Sequence, residues 1–208
     1  MAIERISDLE VRITTPLSDE DVREMKIGDH VRINGVIYTA RDAAHNRMLQ
    51  TLDAGGELPI DIKGQLIYYV GPTPARPGRV SGAFGPTTSM RMDPFTPRLL
   101  EEGLKACMGK GNRGPEVQEA LKKYNAVYLM AVGGAGAMLS QFIRKVEVVA
   151  YEDLATESIK RVEVEEFPAV CMDDCQGRDL LMEGRKQWRD LSKLGSYQPS
   201  EKIIVAQG

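Results

Sequence analysis

No charged residue occurs between Lys123 and Arg144. That length is about what a bilayer-crossing helix needs, so the stretch separates two very different kinds of molecule. Its internal punctuation argues against a span. It opens on Tyr124-Asn125, holds Gly133-Gly134 at its middle and closes on Ser140-Gln141. Residues 126–132 read as a buried strand, the glycines as a turn, and the residues after them as a short helix. A strand that is apolar throughout needs cover on both faces of its sheet. The chain is therefore expected to be an α/β or α+β layered domain with a buried sheet.

The same grammar recurs along the chain. Residues 9–14 alternate as Leu-Glu-Val-Arg-Ile-Thr, the two-residue period of a half-buried strand. Ser18 followed by Asp19, Glu20 and Asp21 marks a helix start. Residues 31–40 read as a hairpin turning at Asn34-Gly35, a pair suited to a type I′ turn. Asp42 is expected to cap a helix over 43–52 that stops at Gly55-Gly56. Two apolar runs come next, 66–70 and 79–84, each stopping at a Gly-Pro pair. A helix is expected over 97–107, with Leu99, Leu100, Leu104 and Cys107 on one face, and Pro115 opens another that runs through Tyr124. Strands are expected at 146–151, 160–165 and 169–172, then a helix over about 178–191. The whole chain, residues 1–208, is read as a single domain with a loosely held tail after about 195.

Charge and cysteine content remove several function classes. The 27 Lys+Arg against 30 Asp+Glu leave a net −3, so no basic footprint for nucleic acid is present. The first ten residues hold Glu4, Arg5, Asp8 and Glu10 with no apolar core, so no secretory signal is expected. Three cysteines, Cys107, Cys171 and Cys175, make no disulfide framework, and the cytoplasm is the default compartment.

Few residue groups suggest chemistry. Gly133-Gly134-Ala135-Gly136 lies between a strand and a helix, where backbone amides could cradle an anion. The dinucleotide fingerprint fails at Leu139, so a tight packing turn is the better reading. The three thiols could in principle hold an iron–sulfur cluster, but none sits in a glycine loop, and buried structural cysteines are commoner. With only His30 and His45, a histidine metal site is improbable. His30 reads as surface. His45, four residues after Arg41, either shares a face with it or is a surface or capping residue. The most informative feature is a set of cations on loops: Arg41 after the presumed hairpin, Arg91 after Gly85-Pro-Thr-Thr-Ser-Met, and Lys110 between Gly109 and Gly111. If those loops meet, two or three such cations match a dicarboxylate, with Arg supplying bidentate contacts and Lys a point charge.

Ala40-Arg-Asp-Ala-Ala-His45, Gly71-Pro-Thr-Pro74, Gly85-Pro-Thr-Thr-Ser-Met-Arg-Met-Asp93, Gly109-Lys-Gly111 and Ala131-Val-Gly-Gly-Ala-Gly136 occur in that order. Together they resemble the β region of the class I fumarase and L(+)-tartrate dehydratase family of iron–sulfur hydro-lyases. The resemblance covers about residues 9–183. It implies a swivelling β/β/α domain and a β subunit that acts with a cluster-bearing α subunit, in an assembly of two α and two β. It also implies that the 4Fe-4S cluster is bound by that partner rather than ligated by this chain. By the same resemblance Thr87 takes the position of the catalytic base, and Arg41, Arg91 and Lys110 the positions that contact the carboxylates of a small dicarboxylate. The arginine motif leans to fumarate, while Thr-Thr-Ser-Met-Arg-Met, with Met90, is equally at home in tartrate dehydratases, and mesaconate is a further alternative. A reading of a different class is a non-catalytic module that senses dicarboxylates or scaffolds a partner.

Overall fold

The computed structural model describes residues 2–190. The expected tail after about 195 lies outside them. Strands β1 (Ile3–Ser7), β2 (Glu10–Thr14), β3 (His30–Thr39), β4 (Leu66–Tyr68), β5 (Ala106–Gly109), β6 (Val127–Met130), β7 (Ile143–Ala150) and β8 (Ile159–Asp173) form one sheet in the order β1-β2-β3-β4-β5-β6-β8-β7. An additional antiparallel ladder joins β3 to β8. The path from β3 through β4, β5, β6 and β8 therefore returns to β3, and the sheet curls into a closed ring.

The ring is filled by alternate residues of its strands. Ile33 and Ile37 from β3, Leu66 and Tyr68 from β4, Met108 from β5, Leu129 from β6, and Val162 and Phe167 from β8 belong to one buried core. The short helix α1 (Asp19–Glu24), capped by Ser18 as expected, precedes β3. The intervening residues Ile67, Cys107 and Tyr128 face a second core, beneath helices α2 (Asp42–Asp53), α3 (Thr96–Glu101) and α4 (Pro115–Lys123). Both faces of β4, β5 and β6 are thus covered, which is why they read as unbroken apolar runs. Each fully buried aliphatic or aromatic side chain contributes about 1.5–3 kcal/mol. The chain is a layered α/β domain, with one core inside the curled sheet and a second between the sheet and its helices. Among the described residues no helix is long and apolar enough to cross a membrane. The charge-free stretch is β6, the glycine turn and the short helix α5 (Gly136–Leu139).

Several local expectations are corrected. Asn34-Gly35 is not a hairpin turn but the middle of β3. Its partner strand arrives more than a hundred residues later, as β8, and the ladder shifts register between Ile33 and Gly35. Gly35, with φ of +94°, absorbs that irregularity, while the Asn34 amide donates to Glu166 at 2.8 Å. Residues 79–84 form no strand and run as loop between β4 and α3. The helix expected over 97–107 stops at Glu101. Gly103, with φ of +101°, turns the chain so that Cys107 lies on β5 instead. The strands expected at 160–165 and 169–172 are one, β8, kinked where Glu166 adopts φ of +54°. Helix α6 covers Leu180–Trp188, capped by the Asp179 carboxylate.

Candidate functional site

Strands β2 through β6 run parallel where they pair in sequence, so β3, β4, β5 and β6 release their loops at one edge. Arg41 follows β3, Gly71 extends beyond β4, Lys110 follows β5 and Gly133 follows β6. The crevice beyond the carboxyl ends of parallel strands is where α/β sheets place their ligands. This geometry brings the dispersed cations of the sequence to one rim.

Thr87 is wedged between two of those strand ends. Its amide donates to the Tyr69 carbonyl at 2.7 Å, and its own carbonyl accepts from the Lys110 amide at 3.1 Å. The Ser89 amide then donates back to the Lys110 carbonyl at 2.9 Å. Gly109 permits this contact: a Cβ there would overlap Ser89 Oγ and crowd the Thr87 carbonyl. The Thr87 backbone is fixed on both sides, yet among the described residues its hydroxyl has no hydrogen-bond partner, so the loop does not consume it as structure. Lys110 is exposed, has no carboxylate within ion-pair distance among the described residues, and lays its stem along Gly133.

Arg41 and Arg91 meet through Asp42. Arg91 donates from Nε and Nη2 to the two Asp42 oxygens, each at 2.9 Å. Arg41 Nη2 lies 3.7 Å from Asp42 Oδ2 and 3.4 Å from Glu157 Oε1. Its guanidinium crosses Gly71 so closely that a Cβ there would touch Nη1. The expectation that Asp42 caps α2 is corrected here. Arg41 holds the N-cap position without a side-chain cap, and Glu157 accepts from the Ala43 amide at 3.0 Å in its stead. The turn that carries Glu157 is steadied by Lys160, whose ammonium donates to the Ala155 and Thr156 carbonyls at 3.0 and 3.3 Å.

His45 is neither a surface residue nor an open ligand. It is fully buried, with Nδ1 at 2.9 Å from the Arg41 carbonyl and its ring edge-on to Tyr69 at 5.3 Å between centroids. Burial drives its pKa down to about 4, an effect the Arg41 carbonyl partly offsets and the charge of Arg113 reinforces. The unfolded chain therefore takes up this proton near pH 6.5 while the folded chain resists it. Stability falls as the pH drops through that window, by about 3 kcal/mol near pH 4 at ~1.4 kcal/mol per unit. In His45→Gln the dependence of melting temperature on pH between about 6.5 and 4 should flatten. A slope equal to that of the unaltered chain would contradict this assignment.

Arg113 is the residue that sequence reading missed. Its side chain is wholly buried, donating to Asp93 Oδ1 and Thr96 Oγ1, each at 2.7 Å, and to the Tyr69 hydroxyl at 3.2 Å. Its guanidinium also lies over the rings of Tyr69 and Tyr128, 5.4 and 5.1 Å from their centroids. Burial opposes its charge, but Tyr69, Cys107 and Asp93 outweigh that and keep the guanidinium above its ordinary range. Tyr69 passes the constraint to Thr87 through its carbonyl, and Tyr128 passes it through its hydroxyl to Ser89 and Gly111. The one hint in sequence was the pairing of Asp93, at the end of the Gly85–Asp93 segment, with a cation just past Gly111.

The thiols do not form a ligand set. Cys107 packs in the helix-side core, while Cys171 and Cys175 pack in the ring, and burial raises all three pKa values. Among the described residues no group of three His, Cys, Asp or Glu is placed to hold a metal ion. The glycine turn serves packing: the Gly136 carbonyl accepts from the Phe84 amide, and a Cβ on Gly136 would strike Gly85.

Residues 2–184 match the family model described as Fumarase C-terminus. The chain belongs to the fumarase C-terminal family. Among curated relatives, fumarate hydratase 1, mitochondrial, of Leishmania major is 39% identical over 82% of this chain but only 32% of its own length. The aerobic class I fumarate hydratase of Salmonella typhimurium is 37% identical over 83% of this chain and 30% of its own. A Methanocaldococcus jannaschii protein provisionally named L(+)-tartrate dehydratase subunit beta is 33% identical over 86% of this chain and 95% of its own. The fumarase C-terminal domain seen here thus spans about a third of the fumarate hydratases it matches, and nearly the whole of the β-subunit relative.

Proposed function

We propose that this chain is the β subunit of a two-subunit hydro-lyase, with reversible hydration of fumarate to malate as its reaction. What supports this reading is that Arg41 and Arg91, joined through Asp42, and Lys110, bonded through its backbone to Thr87, share the strand-end rim, and that the Thr87 hydroxyl has no hydrogen-bond partner among the described residues. Proton removal beside a carboxylate builds negative charge on that carboxylate, and preorganised cations stabilise it. Thr87 moves the proton at the carbon next to it. A threonine hydroxyl is a weak base, and the positive rim favours its alkoxide. Arg91 and Arg41 hold one substrate carboxylate and Lys110 the other, each as a charge present before the reaction begins.

The donor set of this chain does not fit an iron–sulfur cluster, and the 4Fe-4S cluster is proposed to reside in the α subunit. Partner cover is supported by apolar side chains exposed on the site's own loops and neighbours: Met90 at 50%, Val132 at 56% and Met138 at 45%. An assembly of two α and two β in the cytoplasm is the form we propose. L(+)-tartrate is the second substrate reading, favoured by the M. jannaschii relative, which matches along almost its whole length.

Calorimetry separates a half-site from a self-sufficient binding module. The chain alone should bind fumarate, tartrate and mesaconate too weakly to titrate, while the complex co-expressed with a cluster-bearing α subunit should bind one of them and sediment as a single species. Tight binding by the isolated chain would refute the half-site and favour the sensing module.

A further inference from the structure

Arg91 presents two forks of donors. The side-on fork, Nε with Nη2, is taken by both oxygens of Asp42 at 2.9 Å each. A guanidinium has five N–H donors, and the end-on fork, Nη1 with the remaining Nη2 hydrogen, meets no acceptor among the described residues and is left for another planar acceptor. Asp42 stands at the first position of α2, where a carboxylate ordinarily serves the helix end. Here Glu157 takes that task through the Ala43 amide, and the Asp42 carboxylate is turned wholly to the arginines.

The charge count fits the same purpose. Arg41, Arg91 and Lys110 supply three positive charges, Asp42 and Glu157 two negative ones, and the surplus sits on Lys110. A rim of that kind attracts a dianion without burying it under three uncompensated cations. It also fixes the plane of Arg91, half exposed and otherwise free to swing.

We propose that Asp42 is a positioning residue. It locks Arg91 side-on so that the end-on fork meets one carboxylate of the dicarboxylate, and it withholds one unit of charge from the ground-state complex. The proposal rests on the hydro-lyase reading above for its kinetic consequence, but its geometric content can be tested without turnover.

Two measurements decide it. In the isolated chain, nitrogen-15 NMR of the arginine Nε–H groups, with Arg91 assigned through Arg91→Lys, should show an Arg91 signal protected from solvent exchange. That protection should disappear in Asp42→Asn and return in part in Asp42→Glu. An Arg91 Nε–H that exchanges freely in the unaltered chain overturns the proposal, whatever the activity. In the complex with the α subunit, Asp42→Asn should lower kcat per folded complex by roughly tenfold to a hundredfold, the scale of a small misplacement of a catalytic contact. KM should stay level or fall, because the rim gains one net positive charge. A purely structural ion pair would lower the melting temperature and leave kcat and KM of the folded complex intact, and that result overturns it too. A KM that rises along with the loss of kcat does likewise. An unaltered complex that hydrates none of the dicarboxylates refutes the hydro-lyase reading, and the NMR result then judges Asp42 alone.

Discussion

Thr87→Ala should lower kcat of the complex by at least about a hundredfold while KM changes little, as expected when a proton-transferring group is lost. The structure makes this a clean substitution. Both backbone groups of Thr87 are held, by the Tyr69 carbonyl and the Lys110 amide, and alanine keeps both bonds. The hydroxyl has no partner among the described residues, so no structural hydrogen bond disappears with it. Melting temperature should therefore stay within about 2 °C, the effect of about 0.5–1 kcal/mol in a chain of this size. Thr87→Ser should keep part of the activity because a hydroxyl remains. Active-site-normalised kcat and melting temperature, measured on the same preparation, give the answer. A fully active Thr87→Ala complex would remove Thr87 from the chemistry.

Arg113→Met should be the most destabilising substitution in this neighbourhood, by about 3–5 kcal/mol, the range for breaking a buried pair from one side. Methionine matches much of the volume but leaves the Asp93 carboxylate without its cation and the Tyr69 and Thr96 hydroxyls short of a donor. Lysine should rescue little, because a point charge cannot serve Asp93, Thr96 and Tyr69 together or stack between two rings. The control is Lys110→Ala, a change at an exposed cation without an ion-pair partner among the described residues, which should move stability by less than about 0.5 kcal/mol. Thermal unfolding of the three variants at one pH tests this. An Arg113→Met chain as stable as Lys110→Ala would show that the buried guanidinium is not what holds the loops.

The contrast between these two positions shows what the amino-acid sequence discloses. Strands β4 and β6 were legible because both faces are covered, which removes polar alternation, and α4 because Pro115 fixes its first turn. Asn34-Gly35 misled because a two-residue turn signal is local, whereas the strand that pairs with β3 is β8, far along the chain. The helix over 97–107 was overextended because its apolar spacing continues through Gly103, where the backbone reverses. Arg91 and Lys110 stand out through their glycine-rich settings, since close backbone approach leaves a mark in composition; Arg41 stands out through its place after a strand, and Thr87 through the family resemblance alone. Arg113, Asp42 and His45 leave no such mark. Each looks like an ordinary loop or helix polar residue until its partners, Asp93, Arg91 and the Arg41 carbonyl, are placed around it.

One assay bears most directly on the hydro-lyase reading. This chain and the proposed cluster-bearing α subunit, purified separately and mixed without oxygen, should together hydrate fumarate, read as loss of its ultraviolet absorbance, while neither chain does so alone. Absence of turnover with fumarate, L(+)-tartrate and mesaconate from an assembled, cluster-loaded complex would contradict it.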